Sequence, residues 1–118
     1  MARKVALFAF NGEPTCFIHV LLNSLDMEEQ GYSVKVIIEG AATAIITGLH
    51  EKGTVHPLNP LYQNVKSHGL IDAVCLACAT KMHSIDAVKA EGLPIAGTLN
   101  GHPAMSTYLN DGHEIITF

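Results

Sequence analysis

Positive charge is scarce in this 118-residue chain. Seven Lys and Arg stand against eleven Asp and Glu, a formal charge of −4. A nucleic-acid binder gains affinity by setting Lys and Arg against phosphates, so no nucleic-acid partner is expected. Long apolar runs are missing too. None approaches the roughly 18 residues that a membrane span requires, and no membrane association is expected. The stretch 5–10 behind Arg3 and Lys4 imitates a secretory signal. It is too short and runs at once into Asn11-Gly12-Glu13-Pro14, so it reads as a buried first strand. Cysteine is limited to three residues. An odd number excludes a closed disulfide framework, and the expected location is the reducing cytoplasm. Charged residues reach only 15%, against about 25% in an average soluble domain. A small domain so poor in charge hides surface against another copy of itself, which predicts a homo-oligomer. There is no linker, no low-complexity stretch and no strong repeat, so residues 1–118 read as one domain.

The residues that are present alternate in grammar. Residues 4–10 form an almost unbroken apolar run, suited to a strand buried on both faces. Pro14 then stands at a first helical position. Phe17, Val20, Leu21 and Leu25 recur at helical spacing up to residue 30, and Gly31 closes that helix. The pattern repeats. A second strand is expected over 34–38 and a second helix over 41–50, stopped by Gly53. A third helix opens with Asn59 as cap and Pro60 in the first turn, and Gly69 stops it. A third strand spans 70–76. A fourth helix covers 84–91, stopped by Gly92, and a short fourth strand covers 94–96. Pro103 opens a fifth helix, stopped by Gly112, and the last strand covers 114–118. This alternation predicts an α/β fold with a mostly parallel five-stranded sheet.

In open parallel sheets, ligands bind beyond the carboxyl ends of the strands, and the unusual residues collect there. Cys75-Leu76-Ala77-Cys78 at the end of strand three is the strongest feature. Such a pair can form a disulfide, relay a persulfide or hold a metal ion; two small core residues are the plain alternative. Lys81 follows closely and would favour thiolate over thiol. Cys16 and His19 stand three apart on one face of helix one, with Asn23 continuing it. That spacing suits a thiol with a base or two metal ligands, and equally a buried Cys beside a hydrogen-bonded His. Glu39 ends an apolar run, where a carboxylate is costly unless paired or exposed. It could act as a base, a ligand or a partner for Lys81. Among seven histidines, His102 beside Asn100-Gly101 is the one best placed at the sheet edge. His50, His56, His68 and His113 read as surface residues, and His83 stays open.

Three segments carry a family resemblance: Lys4-Val5-Ala6-Leu7-Phe8, Glu39-Gly40-Ala41-Ala42 and Val74-Cys75-Leu76-Ala77-Cys78. Together they resemble the DsrE/DsrF-like proteins of YchN-like fold, over residues 4–118. The resemblance implies a three-layer α/β/α domain assembling as trimers or hexamers. It also implies persulfide sulfur carried on Cys75, with Cys78 matching a second cysteine that some members have. Where many relatives reach an Arg-Gly pair after the cysteine, Met82-His83 stands here.

The preferred expectation is therefore a sulfur-relay protein without a cofactor. Cys75 accepts sulfur and Cys78 resolves it. Glu39 and His102 shape the pocket, Lys81 favours the anion, and donor and acceptor proteins are the partners. Transfer by thiolate attack requires an accessible thiol of low pKa. The alternative is a zinc module using Cys16, Cys75 and Cys78 with His102 or Glu39. A structural oligomer with inert thiols is the third.

Overall fold

The computed structural model of the chain describes residues 2–118. The strands are β1 (Lys4–Ala9), β2 (Ser33–Ile38), β3 (Ile71–Cys75), β4 (Ile95–Ala96) and β5 (Glu114–Thr117). The helices are α1 (Pro14–Glu29), α2 (Thr43–Lys52), α3 (Asn59–Ser67), α4 (Leu76–Lys81), α5 (Ile85–Ala90) and α6 (Met105–Asn110), with short 3₁₀ turns at Gly40–Ala42 and Gly53–Val55. All strand pairs are parallel, in the order β4-β3-β2-β1-β5.

That order follows from handedness. A crossover between parallel strands is right-handed. The chain steps outward from β1 to β4 in one direction, so the connecting helices α1, α2, α3 and α5 fall on one face. The return from β4 to β5 runs the other way and puts α6 on the opposite face. The core divides accordingly. A large cluster includes Val5, Leu7, Val36, Ile38, Phe17, Leu21, Ile46 and Tyr62. A small one holds Ala6, Phe8, Ile37, Ala73 and Tyr108. The second face is thinly covered, chiefly by Tyr108, whose ring stands edge-on to Phe8 at 5.5 Å. The result is a three-layer α/β/α fold with unequal outer layers.

Gly31, Gly69, Gly92 and Gly112 take positive φ, as expected of residues that turn a helix back toward a strand; Gly53, also at positive φ, ends α2 ahead of α3. Other expectations shift. Leu58 occupies the cap position of α3 and Asn59 is its first residue. Strand three ends at Cys75, and the segment between it and the expected fourth helix forms a further short helix, α4. Its Leu, Ala and Lys residues favour helix, and Cys75 caps it. Helix α6 begins at Met105, two residues after Pro103. His113 is 3% exposed rather than a surface residue. It packs edge-on against Tyr108 at 6.0 Å, and neither ring nitrogen has a hydrogen-bond partner among the described residues. Among those residues no helix is long and apolar enough to cross a membrane.

Candidate functional site

Three chain segments meet beyond the carboxyl ends of β2, β3 and β4. Each is held by local chemistry. Glu39 closes β2, its backbone N–H bonded to the Ala9 carbonyl at 2.8 Å. Gly40 follows at φ +55°, where an added Cβ would lie 3.0 Å from the Phe10 carbonyl oxygen, so a side chain is excluded both by φ and by space. Cys75 closes β3 and caps α4, its Sγ accepting the Cys78 N–H at 3.4 Å. The thiol does here what a Ser or Asp oxygen does at other helix starts, and the three-residue spacing brings Cys78 to the same end.

The third segment is the loop after β4. Leu99 and His102 exchange two backbone hydrogen bonds at 2.8 Å. Asn100 and Gly101 between them take φ of +50° and +92°. This is the two-residue turn that Asn-Gly favours, with positive φ at both central positions. The Ala77 N–H bonds the Gly101 carbonyl at 2.8 Å, fastening the turn to α4 and aiming His102 at the cysteines.

The side chains converge. His102 Nδ1 lies 3.0 Å from Cys75 Sγ, 3.6 Å from Cys78 Sγ and 4.0 Å from Glu39 Oε1. One donor atom from each of Glu39, Cys75, Cys78 and His102 lies within 4.8 Å of every other. Cys75 is fully buried and Glu39 only 6% exposed, whereas Cys78 and His102 are half-buried. Burial pushes the Cys75 thiol up to about 12, helped by the neighbouring Cys78 and Glu39; the Cys78 backbone N–H pulls the other way. Burial also raises the Glu39 carboxyl, opposed by His102 and a hydrogen bond with Cys75.

Two expectations are corrected by this geometry. The buried Cys75 is not an accessible thiol of lowered pKa, because desolvation outweighs the helix-start N–H. Cys16 does not join the cluster: it lines a separate 300 Å³ cavity with His19, Asn23 and Phe118. Glu39 takes its place among the four. Glu39 and Lys81 form no ion pair; the cation-capable group nearest the carboxylate is His102. Lys81 instead lines a 380 Å³ cavity with Gly40, Ala41, Ala77, Cys78, Met82 and His102. A second cavity of 450 Å³ touches Glu39 and His102 from the other side, against Phe10, Leu99 and Met105. Sequence reading missed Gly40 and Gly101 as positioning residues. The Asn-Gly dipeptide was the available signal for the second.

The arrangement does not match a Cys–His–Glu relay, in which the two imidazole nitrogens face different partners; here Nδ1 faces both sulfurs and the carboxylate. What the arrangement can do is surround a single cation. Around tetrahedral Zn²⁺, ligand atoms stand roughly 3.3–3.8 Å apart, given metal bonds of about 2.0–2.3 Å. The His102 distances bracket that range.

Fold and site together define an all-parallel α/β protein with a Cys-Cys-His-Glu cluster at the carboxyl edge of its sheet. The chain is similar to Uncharacterized protein MJ0733 of Methanocaldococcus jannaschii, 32% identical over 99 residues, covering 84% of this chain and 77% of that protein. It belongs to that protein's family. An uncharacterized protein of Archaeoglobus fulgidus is 47% identical over 45 residues, 38% of this chain and 74% of that one. The structure of BT1422 from Bacteroides thetaiotaomicron, a conserved protein of unknown function, matches with a TM-score of 0.71 at 14% identity. It covers 98% of this chain and 94% of that chain, a likeness of fold. No family model matches.

Proposed function

We propose that the chain is a metal-binding protein whose centre is Glu39, Cys75, Cys78 and His102, with Zn²⁺ as the ion the donors favour. The observation that carries this reading is the mutual approach of four ligand atoms, all within 4.8 Å, from three separate segments. Two thiolates and an imidazole suit a borderline-soft ion of tetrahedral preference. A bound cation would also offset the cost of holding Glu39 and Cys75 as buried anions side by side, groups that burial otherwise drives toward their neutral forms. Native mass spectrometry, with and without chelator, tests it. Stoichiometric zinc retained by wild type and by Cys16→Ser, but lost in Cys78→Ser, is the expected result. Protein purified and reconstituted without bound zinc or cobalt overturns it.

A second reading is favoured by one observation: the half-buried Cys78 opens on the cavity that Lys81 lines. The DsrE/DsrF resemblance supports sulfur carriage, and Cys78 rather than the buried Cys75 is then the thiol that meets a donor. A mass gain of one sulfur atom after incubation with a sulfur donor, lost in Cys78→Ser, is the outcome for that reading. Either chemistry needs its site thiols free of disulfide, as all three cysteines are, which fits a cytoplasmic setting. Assembly as a homo-oligomer, a trimer or hexamer by the DsrE/DsrF resemblance, is supported by the thin second face, over which α6 leaves Leu109 exposed. Light scattering behind size exclusion measures it.

A further inference from the structure

The 380 Å³ cavity adjoins the proposed metal centre on its exposed side, and its wall divides in three. Cys78 and His102 present the centre. Ala41, Ala77 and Met82 are apolar. Lys81 supplies a cation with no carboxylate at ion-pair distance among the described residues. Lys81 follows Cys78 by three residues in α4, so the two share a helix face with Cβ atoms about 5–6 Å apart. A metal ligand and a positive charge thus stand one turn apart across a short apolar floor.

We infer that this cavity is a ligand site for short mercapto-carboxylates, an inference that rests on the metal-centre reading. The ligand's sulfur binds the ion, its short carbon chain lies on Ala41, Ala77 and Met82, and its carboxylate meets Lys81. Sulfur would reach the ion from the cavity side that Cys78 and His102 line, and Glu39, the hardest donor and outside that lining, would give up its metal–oxygen bond as the metal–sulfur bond formed, the thiol proton leaving to solvent. Nothing is oxidised or reduced.

The test uses protein loaded with Co²⁺, whose thiolate charge-transfer bands report the centre directly. Three probes are titrated: 3-mercaptopropionate, ethanethiol, which lacks the carboxylate, and propionate, which lacks the sulfur. The expected result is spectral change at the lowest concentration with 3-mercaptopropionate, by about two- to fivefold over ethanethiol, as a solvent-exposed ion pair supplies. Lys81→Gln, at an exposed position, collapses that preference to near unity. Cobalt bands that respond equally to 3-mercaptopropionate and ethanethiol, or a preference that survives Lys81→Gln, overturn the ligand site and leave the centre standing. Absence of cobalt–thiolate bands removes the centre and this inference with it.

Discussion

Four side chains make the site, and they are not equivalent. Cys75 and Glu39 are buried, Cys78 and His102 half-buried. The thiolates carry most of the match to a borderline-soft ion, and the carboxylate oxygen least. Cys78→Ser and His102→Ala are each expected to weaken zinc by on the order of a hundredfold or more, beyond what loss of a supporting partner costs. Glu39→Gln costs less than either. Cys16→Ser changes nothing at the centre, since Cys16 sits with His19 and Phe118 in another cavity. Competition with a chromophoric chelator measures each affinity. Equal loss in Cys16→Ser and Cys78→Ser is the result that contradicts the assignment. At this scale the sequence was informative about chemistry and poor about company. The CxxC pair, Glu39 and His102 stood out as polar residues at strand ends. Which thiols share a site depends on distances between loops far apart in sequence, and nothing local to Cys16 encoded that its side chain lines a cavity with Phe118 instead.

Among the elements, the turn at Asn100-Gly101 is the one on which the centre depends most. It sets His102 and is tied to α4 through Ala77. Gly101 has φ +92°, and a Cβ there would stand 3.0 Å from Ala77 Cβ, a methyl fixed to the backbone that cannot swing aside. Gly101→Ala is expected to cost about 1–3 kcal/mol and to weaken metal binding as well, because the displaced turn carries a ligand. Gly31→Ala provides the comparison. Gly31 also has positive φ, but nothing lies within 4 Å of the added carbon. It should lose about 1 kcal/mol with metal affinity intact. Thermal melts of metal-free protein and zinc competition separate the two effects; unaltered zinc affinity in Gly101→Ala would remove the turn's role. The elements themselves were largely legible, because buried parallel strands read as apolar runs and glycines at positive φ punctuate the returns. Short pieces were less so. Helix α4 has only six residues, too few for a periodic face to emerge, and its cap is a cysteine rather than Ser, Thr, Asp or Asn.

For the whole molecule, the heavily covered face of the sheet is held by a polar clamp that no sequence pattern announced. Glu91 ends α5 and receives Tyr62 Oη at 2.6 Å, Lys66 Nζ at 3.1 Å and His50 Nδ1 at 2.6 Å, joining α2, α3 and α5. Burial alone would raise its carboxyl. The hydrogen bonds from Tyr62, His50 and Lys66, with the Lys66 charge, outweigh that and bring it from the ordinary 4.5 down to about 2. A carboxyl depressed on folding contributes stability that is present above its unfolded pKa and lost as pH falls through the folded one. The window here is therefore pH 4.5 down to 2. The contribution is at most about 3 kcal/mol at one pKa unit per 1.36 kcal/mol, since only 13% of the side chain is exposed to solvent screening. Urea denaturation with chelator present, so that metal loss plays no part, should show wild-type stability declining across that window. Glu91→Gln keeps a similar shape but loses both the charge and its titration. It should start lower near pH 6 and converge on wild type near pH 2. Parallel curves, with the same gap at pH 6 and pH 2, would mean that Glu91 acts by packing alone and that its charge does not fasten the helices.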